Sequence, residues 1–315
     1  MSAVVIATAF GGPEVLSVVD QPVPDPGPGE ARIEVRAAGV NPVDWKVYSG
    51  RMGADPARLP MRLGSEAAGV VTAVGPDAVG PAGPVQVGDE VIAFRAPGAY
   101  AAGLTVPASA LVPKPPGLDW AQASGLMLTG VTAWHALAAT GVHQGDTVLM
   151  HGAAGGVGIM AVQLAVGRGA AVIATASQPR HEFLQALGAT PVAYGAGLAD
   201  RVRAAAPGGV DVALDLIGTD EALDVSLDLV ADRARIATIV VTPQAREAGI
   251  KLLGGAPGAD PGTEIRNAAR LDLARLAGDG RLKVFVTRSY PLSQAADAHR
   301  DIMNGHATGK LALIP

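Results

Sequence analysis

Between Thr147 and Ala165 the chain reads TVLMHGAAGGVGIMAVQLA, a short apolar run that stops at clustered glycines and resumes as a longer apolar segment. Thr147–Met150 has the β-branched and aliphatic texture of a buried strand, and Val157, Ala161, Leu164 and Ala165 recur at helical spacing. Gly152, Gly155, Gly156 and Gly158 supply the turns between them, where a Cβ would obstruct the chain. Strand, glycine loop and helix in this order leave few folds open. The loop lets main chain approach a ligand closely, and the first helical turn presents unpaired N–H groups at the positive end of its dipole, a site suited to a pyrophosphate. Its spacing is Gly-x-x-Gly-x-x-Gly and not the commoner G-x-G-x-x-G, so its meaning depends on what surrounds it.

What surrounds it is a regular alternation. Predicted strands at Ala171–Thr175, Thr190–Ala193, Val210–Leu216 and Arg235–Val241 are interleaved with predicted helices at Arg180–Leu187, Leu198–Ala205 and Asp220–Val230. Such spacing means βαβ units with right-handed crossovers and a parallel sheet. A doubly wound sheet binds ligands at the carboxyl ends of its strands, beside the first strand, where the glycine loop lies. The helical texture begins near Asp119, with Ala121–Leu128 and Val131–Ala139. The tail from Pro261 reads as helix Glu264–Leu276, strand Leu282–Val286, helix Leu292–Met303 and a last strand Lys310–Ile314, after a flexible loop at Gly254–Gly262.

From Ala3 to Pro116 the texture is different. Short apolar runs at Ala3–Ala7, Val15–Val19, Ala31–Ala37, Ala67–Val74, Glu90–Phe94 and Leu104–Val106 are separated by Pro/Gly clusters, the pattern of a barrel-like β domain. Two polar landmarks sit in it, Asn41-Pro42-Val43-Asp44-Trp45-Lys46 and Gly64-Ser65-Glu66. Asp44 and Lys46 read either as a solvated turn or as functional groups on a loop held by a rigid scaffold.

The chain's 315 residues allow two ordinary domains. A net charge of −5 with both signs interspersed argues against a nucleic-acid partner. No run reaches the roughly 18 to 20 apolar residues of a membrane span, and Met1–Phe10 lacks signal-peptide features, so a cytoplasmic protein with no membrane association is expected. With no cysteine, and no histidine pair at metal-binding spacing among His135, His143, His151, His181, His299 and His306, no metal is expected.

An NAD-binding sheet usually carries an acidic residue at the end of its second strand, for the adenosine ribose. Here that strand ends Ala174-Thr175-Ala176-Ser177-Gln178-Pro179-Arg180-His181, and Glu182 comes only later. A carboxylate would repel a 2′-phosphate; a hydroxyl and a guanidinium bind one. The expected cofactor is NADPH.

TGVTAWHAL (Thr129–Leu137), VLMHGAAGGVG (Val148–Gly158), ATASQPRHEFLQALGA (Ala174–Ala189) and GHATGKLAL (Gly305–Leu313), following a β-rich domain, resemble the medium-chain dehydrogenases/reductases. The chain is most similar to their zinc-independent quinone oxidoreductase branch, and NPVDWK (Asn41–Lys46) resembles the alkenal and enone reductase members. Zinc alcohol dehydrogenases carry ligands where this chain has Gly39-Val40-Asn41 and Gly64-Ser65-Glu66, and both are missing here. The resemblance implies a fold of class α/β: a GroES-like β-rich substrate domain (1–120 and 285–315) with a Rossmann doubly wound nucleotide domain (121–284) inserted into it. It also implies an active site in the cleft and a homodimer.

Site roles follow from the same resemblance. Gly155, Gly156, Val157 and Gly158 would hold the pyrophosphate, with Ser177 and Arg180 at the 2′-phosphate. Tyr194 would approach the adenine or that phosphate, or simply end its strand half-buried. Thr132 and Ile239, Val240 and Val241 would line the nicotinamide half, with Gly305 and His306 closing over it. Lys46 would reach the nicotinamide ribose and the substrate carbonyl, Asn41 and Asp44 would orient the turn and pair with Lys46, and Tyr48 would donate a hydrogen bond or pack. The motif G-G-Y-A-E-Y of many relatives is Gly98-Ala99-Tyr100-Ala101-Ala102-Gly103 here, which implies an altered pocket. The expected activity is hydride transfer from NADPH to a quinone or to the β-carbon of an α,β-unsaturated carbonyl. The alternatives are a tailoring enoyl reductase of a biosynthetic pathway and a non-catalytic NADPH-binding regulatory or structural protein.

Overall fold

A computed structural model describes residues 1–305 and 308–315, in two compact units: Met1–Leu128 with Arg270–Pro315, and Thr129–Ala269. The strands of the first unit are β1 (Ser2–Ala7), β2 (Leu16–Gln21), β3 (Glu30–Val40), β4 (Met61–Arg62), β5 (Glu66–Val74), β6 (Val79–Gly80), β7 (Gly83–Pro84), β8 (Glu90–Phe94), β9 (Gly103–Pro107) and β10 (Leu111–Pro113). The second unit contributes β11 (Thr147–His151), β12 (Ala171–Thr175), β13 (Thr190–Val192), β14 (Val212–Asp215), β15 (Ile236–Thr238) and β16 (Lys251–Leu252). The first resumes with β17 (Val286–Pro291) and β18 (Lys310–Ile314). The helices in chain order are α1 (Pro42–Tyr48), α2 (Trp120–Ser124), α3 (Met127–Ala139), α4 (Gly156–Gly167) and α5 (His181–Ala186). After these come α6 (Leu198–Ala205), α7 (Asp220–Leu229), α8 (Pro243–Glu247), α9 (Thr263–Gly278) and α10 (Ala295–Met303).

The unit boundaries differ from those expected at 120/121 and 284/285. They fall inside α3 and α9, which carry the chain from one unit to the other. The change of texture near Asp119 marks α2, a helix that packs on β3 and β5 and so belongs to the first unit.

In the first unit β3 is the centre of a sheet ordered β10-β8-β5-β3-β18-β17, with β9 also paired to β3. Along β3 burial alternates from Ala31 to Val35 and then becomes continuous from Ala37 to Val40, because the strand passes under other elements there. The last strand returns antiparallel to it, Leu311 opposite Val40 and Leu313 opposite Ala38, so Lys310 arrives beside the end of β3. Ile33, Val35, Tyr48, Tyr100, Leu104, Leu111 and Leu313 form the core of this unit. The expected strand at Leu282–Val286 is displaced: pairing begins at Val286, and Leu282 and Val284 are buried without joining a ladder.

The second unit is a parallel six-stranded sheet ordered β13-β12-β11-β14-β15-β16. Strand order reverses between β11 and β14, and the glycine loop leaves the carboxyl end of β11 at that reversal. Leu149, Ile173, Ala213 and Ile236 from successive strands meet Leu198, Val202 and Leu223 from the helices in one core. The segment expected as a flexible loop, Gly254–Gly262, is tied down: Leu253 bridges Asp260, and the Asp260 N–H donates to the Leu252 carbonyl at 2.8 Å. Among the described residues no helix is long and apolar enough to cross a membrane.

Candidate active site

The glycine loop has the form a phosphate requires. Gly152 turns with φ of +71°, and Gly155 caps α4 with extended backbone and no side-chain cap, which leaves the first-turn N–H groups of Gly156, Val157 and Gly158 to an outside acceptor. A Cβ on Gly158 would lie 2.5 Å from the Gly152 carbonyl oxygen and 2.6 Å from the Ala153 backbone, so this glycine lets helix and loop close on each other. Ser177, Arg180 and Tyr194, expected at the adenosine end of a dinucleotide, follow strands at the same carboxyl edge of the sheet. Ser177 and Arg180 follow β12, which pairs parallel with β11; the Arg180 N–H donates to the Ser177 carbonyl at 2.9 Å in a single 3-10 turn. Tyr194 follows β13 and is 59% exposed, so the half-buried packing alternative does not apply.

Ile239, Val240 and Val241 were expected inside a strand, but β15 ends at Thr238 and the three are half-buried in the turn beyond it. That turn is held by a buried polar group that pattern reading missed. Asp215, at the end of β14, accepts from the N–H groups of Ile217 (3.0 Å) and Gly218 (2.7 Å) and from the Thr238 hydroxyl (2.9 Å), while Thr238 accepts from Val240 N (3.0 Å). The signal available was a charged residue closing an otherwise apolar strand, Val212–Asp215. His151, opposite Asp215 at the end of β11, is buried; burial holds its imidazole down to about 4, so it is neutral, and its Nε2 has no partner among the described residues. Thr132 is buried in α3.

In the first unit the Asn41–Lys46 stretch is the cap and body of α1. Pro42 at the first helical position starts the helix, and Asp44 accepts from the Asn41 N–H at 2.9 Å, closing its first turn. Asn41 does orient the turn, but through a buried cluster. Its amide donates to Glu66 Oε1 (2.9 Å), and its Oδ1 accepts from Lys310 Nζ (2.5 Å), which also donates to Glu66 Oε1 (3.0 Å) and the Val40 carbonyl (3.0 Å). Glu66 Oε2 accepts from Leu128 N at 2.8 Å. Gly39 is required here, since a Cβ would meet Glu66 Oε1 and the Ser124 carbonyl.

The expected pairing of Asn41 and Asp44 with Lys46 does not form. Asp44 is buried, and its oxygens face the Asn41 N–H, the Tyr100 hydroxyl (2.9 Å) and the Ser65 hydroxyl (3.4 Å). Burial raises its carboxyl to about 6, against the lowering effect of the Tyr100 and Asn41 hydrogen bonds. Lys46 lies on the half-buried side of α1, 6.0 Å from the Trp45 ring, with no carboxylate partner among the described residues; burial first, and Arg51 second, lower its pKa. Tyr48 is not a donor at a surface: it is 1% exposed, stacks on His299 and donates to His299 Nδ1 at 2.8 Å. His299, held down to about 4 by burial, passes its Nε2–H to the Tyr100 hydroxyl at 3.2 Å, and Tyr100 donates to Asp44. The tyrosine of the altered G-A-Y-A-A-G motif therefore lies beneath the turn and supports it. Gly305 follows α10 with φ of +69°; His306 lies outside the described residues.

A cavity of about 250 Å³ opens on the exposed side of this turn, lined by Val43, Asp44 and Val47 of α1, Arg62 to Ser65, Arg95 and Pro97.

Two family models match the chain: the alcohol dehydrogenase GroES-like domain over residues 27–116 and the zinc-binding dehydrogenase model over 187–313. A quinone oxidoreductase of Pseudomonas aeruginosa is 33% identical over 324 residues, covering 98% of this chain and 98% of the relative. The Spectinabilin polyketide synthase system protein NorB of Streptomyces orinoci is 35% identical over 96% of this chain, which spans 14% of that protein's length. The structure of Escherichia coli quinone oxidoreductase complexed with NADPH superimposes with a TM-score of 0.85 at 29% identity, covering 99% of this chain and 100% of that one. One model is named for zinc binding, yet no cysteine or histidine stands in Gly39-Val40-Asn41 or Gly64-Ser65-Glu66, the two stretches where the resemblance to zinc alcohol dehydrogenases would put ligands. The Lys310 ammonium, a cation, sits against Asn41 and Glu66.

Proposed function

The chain belongs to the zinc-independent quinone oxidoreductase branch of the medium-chain dehydrogenases/reductases, and from that membership we propose that it reduces an α,β-unsaturated carbonyl or a quinone. It is an oxidoreductase, and its cofactor is NADPH. The observation that carries the finer reading is Lys46, a half-buried ammonium without a carboxylate partner among the described residues, one helical turn from the cavity-lining Val43.

Bound NADPH supplies the hydride. The uncapped turn at Gly155–Gly158 would hold its pyrophosphate, and Ser177 with Arg180 its 2′-phosphate, roles that fit the hydroxyl and guanidinium found beyond β12 where NAD-binding sheets carry an acid. When hydride reaches the β-carbon of an enone, negative charge collects on the carbonyl oxygen, and a proton from solvent completes the α-carbon. Lys46 would stabilise that oxygen; a quinone oxygen presents the same demand. Asn41 and Asp44 would act by holding α1.

A second reading is favoured by the polyketide synthase relative: a tailoring enoyl reductase, which uses the same hydride addition on a biosynthetic intermediate. The homodimer belongs to the same proposal, with β13 and β16 the two edges of the parallel sheet that pairing would use.

Lys46→Ala is expected to lower kcat with enones and quinones by about tenfold to a hundredfold while NADPH affinity changes little. Steady-state rates beside fluorescence titration of NADPH read both quantities. An unchanged kcat would remove Lys46 from the chemistry.

A further inference from the structure

The cavity beside α1 has a charge that hydride transfer to a neutral enone does not use. Its walls are apolar at Val43, Val47, Leu63 and Pro97, and its two cations are Arg62 and Arg95. Neither guanidinium has a carboxylate partner among the described residues. The cavity's one acid, Asp44, is turned toward Asn41, Tyr100 and Ser65 and does not neutralise them. Desolvation lowers Arg62, and Arg270, lowered first by burial, is lowered further by the nearby Arg95.

The backbone is shaped around both residues. Arg95 adopts φ of +58°, a left-handed conformation that side chains other than glycine, asparagine and aspartate rarely take, and it follows Phe94 at the end of β8 with its guanidinium 5.8 Å from that ring. Gly98 gives Arg62 its room: a Cβ there would lie 2.9 Å from Arg62 Nε. Two unneutralised guanidinium forks on one small apolar cavity match an anion, which they bind by charge-assisted hydrogen bonds.

We propose that the substrate carries an anionic group, a carboxylate or a phosphate, which Arg62 and Arg95 hold in this cavity; the inference rests on the reductase reading above and names its substrate class. The test uses the full chain loaded with NADPH. Binding of 6-oxoheptanoate, its methyl ester and the same ketone with a phosphate in place of the carboxylate is measured by titration calorimetry, in wild type and in the double variant Arg62→Gln/Arg95→Asn. Asparagine at 95 tolerates the left-handed backbone, and Arg62 is exposed, so the variant retains the local fold.

The better anion is expected to bind at least about tenfold more tightly than the ester in wild type, an advantage that falls below about threefold in the double variant. Which anion binds better tells carboxylate from phosphate. An ester that binds as tightly as both anions, an advantage that survives the double substitution, or no anion binding at all overturns the proposal. Reduction of 6-oxohept-4-enoate is followed in parallel. Anion-selective binding without NADPH oxidation by that acid, by neutral enones or by quinones supports the anion site and overturns the reductase reading alone.

Discussion

Lys310→Met is expected to lower the free energy of unfolding by about 3–5 kcal/mol, the cost of leaving a buried carboxylate without its cation. Lys310 is 3% exposed and Glu66 is fully buried, and their 3.0 Å ion pair is part of a closed set in which Lys310 also serves Asn41 and Val40. Methionine preserves most of the stem's packing but removes three donated hydrogen bonds at once. Against a typical total stability of about 5–15 kcal/mol, such a loss is visible in any urea or thermal melt. Glu66→Gln added to Lys310→Met should recover part of it, because the unpaired charge is gone; the recovery is incomplete, since the one glutamine oxygen can serve either the Leu128 N–H or the Asn41 amide, which use different oxygens of Glu66. A loss below about 1 kcal/mol for Lys310→Met would mean that the cluster does not hold the first unit together. The same substitution takes the Lys310 bond from Asn41, the N-cap of α1, so activity should fall with stability.

The second large effect concerns cofactor choice. Ser177→Ala/Arg180→Ala should weaken NADPH by about a hundredfold or more, since hydrogen bonds to a charged group contribute about 1.5–3 kcal/mol each and 1.4 kcal/mol is tenfold. NADH has no 2′-phosphate, and its affinity should change by less than about threefold. Titration of both nucleotides against wild type and variant reads the ratio. Equal weakening of NADPH and NADH would show that the turn after β12 contributes to the fold of the sheet edge and not to phosphate recognition. Replacing Ser177 by aspartate should push the ratio further toward NADH, by repelling the phosphate and accepting from the ribose.

The nucleotide half was the more legible in the amino-acid sequence. Its strands alternate with helices at regular spacing, the central strands are buried along most of their length and therefore mainly apolar, and glycine at 152 and 158 answers a local backbone demand. Strand ends were less legible. Ile239–Val241 reads as a continuation of β15 because it is apolar, but a hydroxyl at Thr238 turns the chain out of the sheet, and short-range pattern does not register that bond.

In the first unit, position in the chain hides the decisive contacts. Lys310 and Glu66 are 244 residues apart, and Tyr48 and His299 are 251 apart, so neither pairing has a local signal. NPVDWK presents three polar side chains that look alike in a loop. Helix geometry separates them: Asn41 and Asp44 turn into the core, and Lys46 stays at the surface of α1. The tail of the chain supplies the reason that Asn41 is needed, since β18 delivers Lys310 to it. Arg95 follows an ordinary buried strand and becomes conspicuous only through its left-handed backbone.

The most direct test of the reductase reading follows the hydrogen itself. Wild-type protein is given NADPH deuterated at C4, in both stereochemical forms, with an α,β-unsaturated ketone, and the product is read by NMR. One of the two forms should place deuterium on the β-carbon of a saturated ketone, with the α-carbon hydrogen drawn from solvent. Deuterium on the carbonyl carbon of an allylic alcohol, or no transfer to any enone or quinone, would contradict it.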